Sequence, residues 1–255
     1  EAMIALYAYC REVDDVVDEI KEPQVAEKKL TWWIQETHRF ESGAPTHPVT
    51  KALFHHQLHY PWPKALFFDL LRGMKTDLEG PHFKTFSELE DYCYCVAGTI
   101  GLLSTYVFGF EKPQTLDYAK HLGTALQTIN IIRDLGEDLR RQRIYIPDED
   151  MAHFGIDREK LLNFEYQDQD LIPLLQFQAR RARQFYQVAM NLLPKEDRPT
   201  QKAAMVMAHI YLALLKTIEE ENFKVLHQKI KLTPLKKLWI AWKTLRQEKK
   251  LCRGK

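Results

Sequence analysis

Apolar residues recur at three- and four-residue spacing along nearly the whole chain, and no segment alternates at the two-residue period of a strand. Such a pattern turns one face of each segment into a core as a helix. Leu6, Tyr9, Cys10, Val13, Val16, Val17 and Ile20 mark a first helix, which Pro23 ends or follows by opening the next. Leu30, Trp33, Ile34, Thr37 and Phe40 stripe a second, closed near Ser42-Gly43-Ala44-Pro45. A third is expected over about 46–59, then a bend at Tyr60-Pro61-Trp62-Pro63, where two prolines remove backbone donors. A helix follows over about 64–79. The next is expected to be capped by Ser87 with Glu90 three residues on, and to run to about Gly109. Another spans about 113–141. The stretch Arg143–Asp148 reads as extended, and short helices fill about 148–164. Long helices are expected over about 170–192 and 197–228, and a last one over about 234–247 after Thr233-Pro234. With no internal repeat and no low-complexity segment, the pattern predicts an all-α fold and one domain over residues 1–255.

The 255 residues are 45% apolar and 28% charged, enough to bury a sizeable core and too apolar for a disordered chain. A formal net charge of +1 gives no reason to expect a nucleic-acid partner. That balance is uneven, because residues 231–255 carry net +8 against −7 for the rest. A basic end on an acidic body suits an anionic surface such as lipid. The cysteines, Cys10, Cys93, Cys95 and Cys252, form no paired framework or zinc spacing, which suits a reducing compartment. No apolar run approaches the roughly 20 residues that cross a bilayer. The expected location is therefore cytoplasmic, with peripheral contact on the inner face of the membrane open. The chain starts inside a helical pattern with no initiator Met, so an upstream segment is expected.

Two acidic clusters carry the chemistry. Asp14-Asp15-Val16-Val17-Asp18-Glu19 and Asp134-Leu135-Gly136-Glu137-Asp138 each place Asp at i and i+4, one helical turn apart on one face. Like charges so placed repel, and Asp is a poor helix-interior residue, so two copies beside apolar positions call for a compensating cation. A lone copy reads best as a solvated face; two copies, each near an arginine, point to a site. Hard divalent ions take carboxylate oxygens, and magnesium shares its shell with phosphates, whose departure it eases as a Lewis acid. Manganese is the alternative ion. Arg11 precedes Asp14 by three residues and Arg133 adjoins Asp134; each suits either phosphate oxygens or a salt bridge to the neighbouring Asp. Gln127, Asn130 and Asp134 form a polar stripe on an otherwise apolar helix, which a ligand or water network would satisfy.

The strings Leu6–Asp18, Tyr92–Leu102 and Asn130–Asp138 resemble the squalene/phytoene synthase family from the first residue to about residue 245. Within it, Gly101-Leu102-Leu103-Ser104 and Thr115–Ala119 are most like the bacterial presqualene diphosphate synthases of hopanoid pathways. The resemblance implies an isoprenoid-synthase helical bundle with a central cavity and head-to-head condensation of two farnesyl diphosphates, with phytoene or dehydrosqualene synthesis as alternatives. One diphosphate ionises, the second substrate's double bond attacks the cation, and proton loss closes a cyclopropane. It implies magnesium ligation by Asp14, Asp18, Asp134 and Asp138, and diphosphate binding by Arg11, Arg133, Gln127 and Asn130. Tyr7, Tyr92 and Tyr211 would line the site near the reacting carbons, or bond the leaving group. Ala97, Gly98, Ile100 and Gly101 would contact substrate, the two glycines by leaving room for a prenyl chain; the competing reading of those glycines is close helix packing. Where the family has Arg-Gly-Arg, this chain has Arg141-Gln142-Arg143, so a different loop backbone is expected there, and Arg143 is the weaker phosphate candidate.

Other signals weigh less. His55-His56-Gln57-Leu58-His59 lacks the Glu of a zinc-protease helix and reads as surface histidines. Trp32-Trp33 and Trp239–Trp242 read as core or interface pairs. Leu235, Leu238, Trp239, Trp242 and Leu245 form a stripe flanked by Lys236, Lys237, Lys243 and Arg246, expected to dock on the core, with a membrane interface as the alternative. No nicotinamide-binding motif is seen. A terpene cyclase would carry an Asn–Ser/Thr–Glu second motif, and an inactive assembly factor would tend to lose the acidic residues; here all four Asp are present.

Overall fold

The structure, a computed structural model, describes residues 1–20 and 22–253. The side chains of Cys252 and of the terminal basic residues Arg253 and Lys255 lie outside the described part. The regular structure among the described residues is helical, with no strand. The order is α1 (Ala2–Asp18), α2 (Pro23–Glu41), α3 (Pro48–His56), α4 (Ala65–Glu79) and α5 (Phe86–Cys93). A π-helical turn (Tyr94–Gly98) leads into α6 (Thr99–Phe108), α7 (Gln114–Arg140), α8 (Asp148–His153) and α9 (Arg158–Leu162). Then come α10 (Asp168–Leu192), α11 (Lys202–Glu220) and α12 (Pro234–Arg253).

The 27-residue α7 is the axis of the molecule. Its apolar positions Ile129, Ile132, Leu135 and Leu139 are buried, with α10 packed along one side and the π turn, α6 and α11 along others. Helices α1, α2, α4 and α6 pack on one another to close the opposite wall. Between those walls lie the cavities described below.

Local signals set most boundaries. Proline opens α2 and α3 at their first turns, and Gly80, at φ 90°, ends α4. The cap of α5 is Thr85 with Glu88, a reciprocal capping box, rather than Ser87 with Glu90. The third helix stops at His56, so His55 and His59 do not share a helical face. The long segment expected over 86–109 contains the π turn, in which Thr99 N–H bonds to Tyr94 O five residues back. Such widened turns favour functional sites.

The larger departure lies after α11. The helix expected to reach 228 ends at Glu220, because Asn222 and Phe223 turn into the left-handed region at φ 52° and 54°. No Gly or Pro announces that stop. Phe223, Val225 and Leu226 are then buried against the end of α7, where Gly136 admits the Leu226 carbonyl.

The last helix also differs from expectation. It packs on α11 through Ile240, Thr244 and Glu248, with Glu248 paired to Arg198 at 2.7 Å and Thr244 to His209 at 3.1 Å. The predicted docking stripe faces away from the core: Leu235 is 79% exposed and Trp239 56%, with Leu238, Trp242 and Leu245 also exposed. Trp33 is core, while Trp32 is partly exposed beside it.

Candidate active site

The two acidic motifs face one another across one cavity. On α1, Tyr7, Arg11, Asp14 and Asp18 fall on one face at helical spacing. On α7, Gln127, Asn130, Asp134 and Asp138 do the same. A cavity of about 320 Å³ is lined by all four Asp of these motifs, with Gln127, Asn130, Arg133 and Arg143.

Basic side chains tie the walls together. Arg141 bonds Asp18 at 2.9 Å and approaches Glu137 at 3.6 Å, linking the first motif to the second. Arg143 Nη1 stands 3.8 Å from Asp18. Arg133 Nε bonds Asp134 at 2.8 Å. Arg11 pairs with Asp15 at 2.8 Å rather than closely with Asp14, which is 3.8 Å away. Gln142 takes the left-handed conformation that glycine favours, φ 59°, so the turn between the two arginines bends as a glycine turn would, at a cost of about 1–2 kcal/mol.

Sequence reasoning missed several lining groups. Lys229, in the segment that follows the early end of α11, reaches Asp134 at 3.0 Å and Glu137 at 2.6 Å. Asp77 on α4 and Tyr145 after α7 also line the acidic cavity. Asp77 and Lys229 sit in no motif, and Tyr145 lies just past Arg141-Gln142-Arg143 with no role expected of it; periodicity does not encode which distant segments meet.

The electrostatics show uncompensated acid. Burial, then the charge of Asp18, raises the pKa of Asp14, with Arg11 opposing. Burial, then the charge of Asp134, pushes Asp138 up to about 7, with Arg143 opposing. Burial also works to raise Asp134, but the hydrogen bond and charge of Arg133 and the contact with Lys229 outweigh it, and its pKa is lowered. Asn130 Nδ2 donates to Gln127 Oε1 at 3.2 Å, while Asn130 Oδ1 is buried without a protein partner. Oxygen donors, excess negative charge and an orphan buried oxygen suit a hard divalent cation. Among the described residues no three acidic, His or Cys groups cluster as a complete metal shell.

Two apolar cavities open from the acidic one. The first, about 380 Å³, runs past Met3, Leu6, Leu70 and Met74, with Tyr7 at its wall though 68% exposed; it shares Asp14, Asp77 and Tyr92 with the acidic cavity. The second, about 340 Å³, is walled by Ala97, Ile100, Gly101, Leu122, Leu126 and Tyr211 among others, and shares Asn130. Gln127 lines all three. Gly98 lies on neither apolar wall: Gly123 of α7 packs on it so closely that a Cβ there would meet Gly98 N at 2.7 Å. At Gly101 a Cβ would meet Ala119 O at 2.9 Å. Close packing thus accounts for Gly123, and for Gly101 alongside its place on the wall, whereas a Cβ at Gly98 would meet only the Tyr94 side chain, at 3.1 Å. A further cavity of about 330 Å³ leads from Arg133, Tyr211 and Lys229 to Lys237 at the start of α12.

Solved structures share this architecture. A dehydrosqualene synthase in complex with ligand matches with TM-score 0.84 at 30% identity, over 98% of this chain and 87% of that one. The squalene synthase HpnC of Alicyclobacillus acidocaldarius matches in fold with TM-score 0.75 at 24% identity, over 88% of this chain and 84% of that one. The class is therefore a helical isoprenoid synthase. The profile of the squalene/phytoene synthase family matches residues 1–236. A phytoene synthase of Arthrospira platensis is 34% identical over 93% of this chain and 81% of that protein. A phytoene synthase of Mycobacterium tuberculosis is 33% identical over 94% and 80%. The chain belongs to the squalene/phytoene synthase family and is a prenyltransferase-type synthase.

Proposed function

We propose that this chain joins two farnesyl diphosphates head to head, releasing one diphosphate and one proton to give presqualene diphosphate. The observation that carries this reading is the meeting of two apolar cavities with one acidic, arginine-flanked cavity at Gln127. Each apolar cavity takes one prenyl chain, and the acidic cavity takes the diphosphates. Asp14, Asp18, Asp134 and Asp138 hold magnesium ions, which supply Lewis-acid stabilisation to the leaving diphosphate. Arg11, Arg133, Arg143 and Lys229 bind phosphate oxygens, and the loss of their present carboxylate partners to metal is what frees them. Gln127 and Asn130 orient the diphosphate ends. Tyr7, Tyr92 and Tyr211 stand on the walls where the reacting carbons meet, offering ring faces to positive charge while apolar neighbours exclude water.

Geranylgeranyl diphosphate, and hence phytoene, is the second reading, favoured by the relatives named phytoene synthase. The exposed face of α12 adds a location. No described helix is long and apolar enough to cross a membrane. Leu235, Leu238, Trp239, Trp242 and Leu245, with Lys243 and Arg246 stacked on the two Trp rings at 5.0 and 5.2 Å, suit the interface of an anionic bilayer. The cavity leading to Lys237 opens beside that helix, where an apolar product would leave.

The test supplies purified protein and magnesium with either diphosphate, with and without NADPH, and measures diphosphate release and product. Release with coupled product from the C15 substrate supports the first reading; coupling from the C20 substrate alone supports the second. No release from either overturns both. Asp14→Asn and Asp134→Asn should each abolish turnover with helical content unchanged, and near-normal turnover in either removes that Asp from the role.

A further inference from the structure

Asp77 is an ionisable group that no motif singles out, and it stands where three cavities meet. It lies on α4, 8% exposed, on the walls of the acidic cavity, of the apolar cavity beside α1, and of a third cavity of about 660 Å³ behind them. Tyr92 Oη donates to its two oxygens at 2.9 and 3.0 Å, and Tyr145 Oη donates at 2.7 Å. The two phenol rings lie 5.3 Å apart, with Phe83 5.3 Å from Tyr92.

A carboxylate in such a place is expensive for the fold. An apolar side chain of similar size on that wall, with Leu70 and Met74, would leave no charge to desolvate. Burial pushes Asp77 up to about 6, with the Tyr145 and Tyr92 hydroxyls and the charge of Arg143 holding it there, so it is largely ionised at neutral pH. What the carboxylate does is take the only proton each phenol can donate. Tyr92 and Tyr145 are then unable to donate to anything in the cavity. They present ring density and oxygen lone pairs instead, backed by a negative charge.

We propose that Asp77 is a positioning residue for the coupling step, holding the hydroxyls of Tyr92 and Tyr145 so that both phenols face developing positive charge as electron donors. This rests on the coupling reading above. Positive charge that arises when an allylic diphosphate departs is stabilised by fixed dipoles and ring faces. A phenol free to rotate could instead turn the positive end of its O–H dipole toward that charge.

Kinetics test this on the full chain. Asp77→Asn keeps the shape but places an amide N–H₂ against one phenol donor. The expected result is a fall in kcat of about 100-fold, KM for the diphosphate substrate within about threefold, and a larger share of hydrolysed prenyl alcohol among the products. In a Tyr92→Phe/Tyr145→Phe background the same substitution should cost under about threefold more, because its partners are gone. A full additive loss in that background overturns the positioning role, as does an unimpaired Asp77→Asn. If Asp77→Asn does not fold by circular dichroism, Tyr145→Phe alone decides, since it removes one hydroxyl and keeps the ring: a lower kcat at unchanged KM supports the role, and unchanged kcat overturns it. Wild-type enzyme that releases no diphosphate overturns the coupling reading itself. Wild type that couples beside an unimpaired Asp77→Asn overturns the positioning role alone.

Discussion

Gly136 sits inside the second acidic motif, and replacing it by alanine sets two effects of opposite sign against each other. In the interior of α7, alanine is favoured over glycine by about 1 kcal/mol from backbone entropy. A Cβ at Gly136, however, would lie 2.0 Å from the carbonyl oxygen of Leu226 and 2.5 Å from that of Val225, where real Cβ contacts do not fall below 3.0 Å. The 225–226 backbone must therefore retreat by about 1 Å. It is held in place by the N–H groups of Val225 and Leu226, which both donate to Asp168 Oδ1 at 3.0 Å, and by Arg140, which donates to Leu226 O at 3.1 Å. A hydrogen bond to a charged group contributes about 1.5–3 kcal/mol, so losing the Asp168 pair costs about 3–6 kcal/mol. Net of the helical gain, Gly136→Ala should destabilise by about 2–5 kcal/mol. The same retreat draws Lys229 away from Asp134, now 3.0 Å distant. Urea unfolding followed by far-ultraviolet circular dichroism measures the difference. A variant as stable as wild type, or more stable by the helix-propensity amount, would refute the close-approach argument.

Two further outcomes follow from other sites. Glu36 is fully buried and receives the N–H of Thr46 at 2.7 Å and of His47 at 2.8 Å, the hydroxyls of Thr46 and Thr50, and Arg39 at 2.7 Å. Burial works to raise its pKa, but these donors hold it well below the ordinary 4.5. A depressed acid stabilises the fold above its unfolded pKa and loses that contribution as pH falls through the range below it. Glu36→Gln should therefore cost about 3 kcal/mol at pH 7, with the gap to wild type closing as the pH falls below about 4.5; a gap independent of pH in urea titrations counts against the ionised form. For α12, the full chain should co-sediment with vesicles containing anionic phospholipid and less so at high salt, and Trp239→Ser/Trp242→Ser should weaken it. No binding to such vesicles, or equal binding to neutral ones, removes the bilayer as the partner of that face.

Much of the fold and of the candidate site was legible before any coordinates, because the signals are local. Pro23 opens a helix as its missing N–H group allows, and apolar spacing located α1, α2, α4, α7 and α10 within a few residues. Asp at i and i+4 also guarantees a shared helical face, so each acidic pair was readable from its own helix. Cap choice was less secure: Thr85 and Ser87 both stand before an acid three residues on, and only the backbone entering α5 selects Thr85. The face that α12 buries was misjudged because Ile240, Thr244 and Glu248 are a weaker apolar stripe than the one left exposed. Arg198 and His209 supply polar partners there that hydrophobic spacing does not register.

What the sequence determined by itself is helical content and the two acidic faces, since both follow from interactions within four residues of each other. Only the tertiary structure decided that those faces oppose one another, that Gly123 packs against the backbone of Gly98, that α11 stops at Glu220, and that Asp77, Tyr145 and Lys229 join the site. The reason is physical: each depends on contacts between segments distant in the chain, such as Asp77 with Tyr145 or Gly136 with Leu226. Such contacts form when buried area and satisfied hydrogen bonds outweigh local preference, and a left-handed pair at Asn222 and Phe223 persists because the Leu226 backbone finds its place against α7.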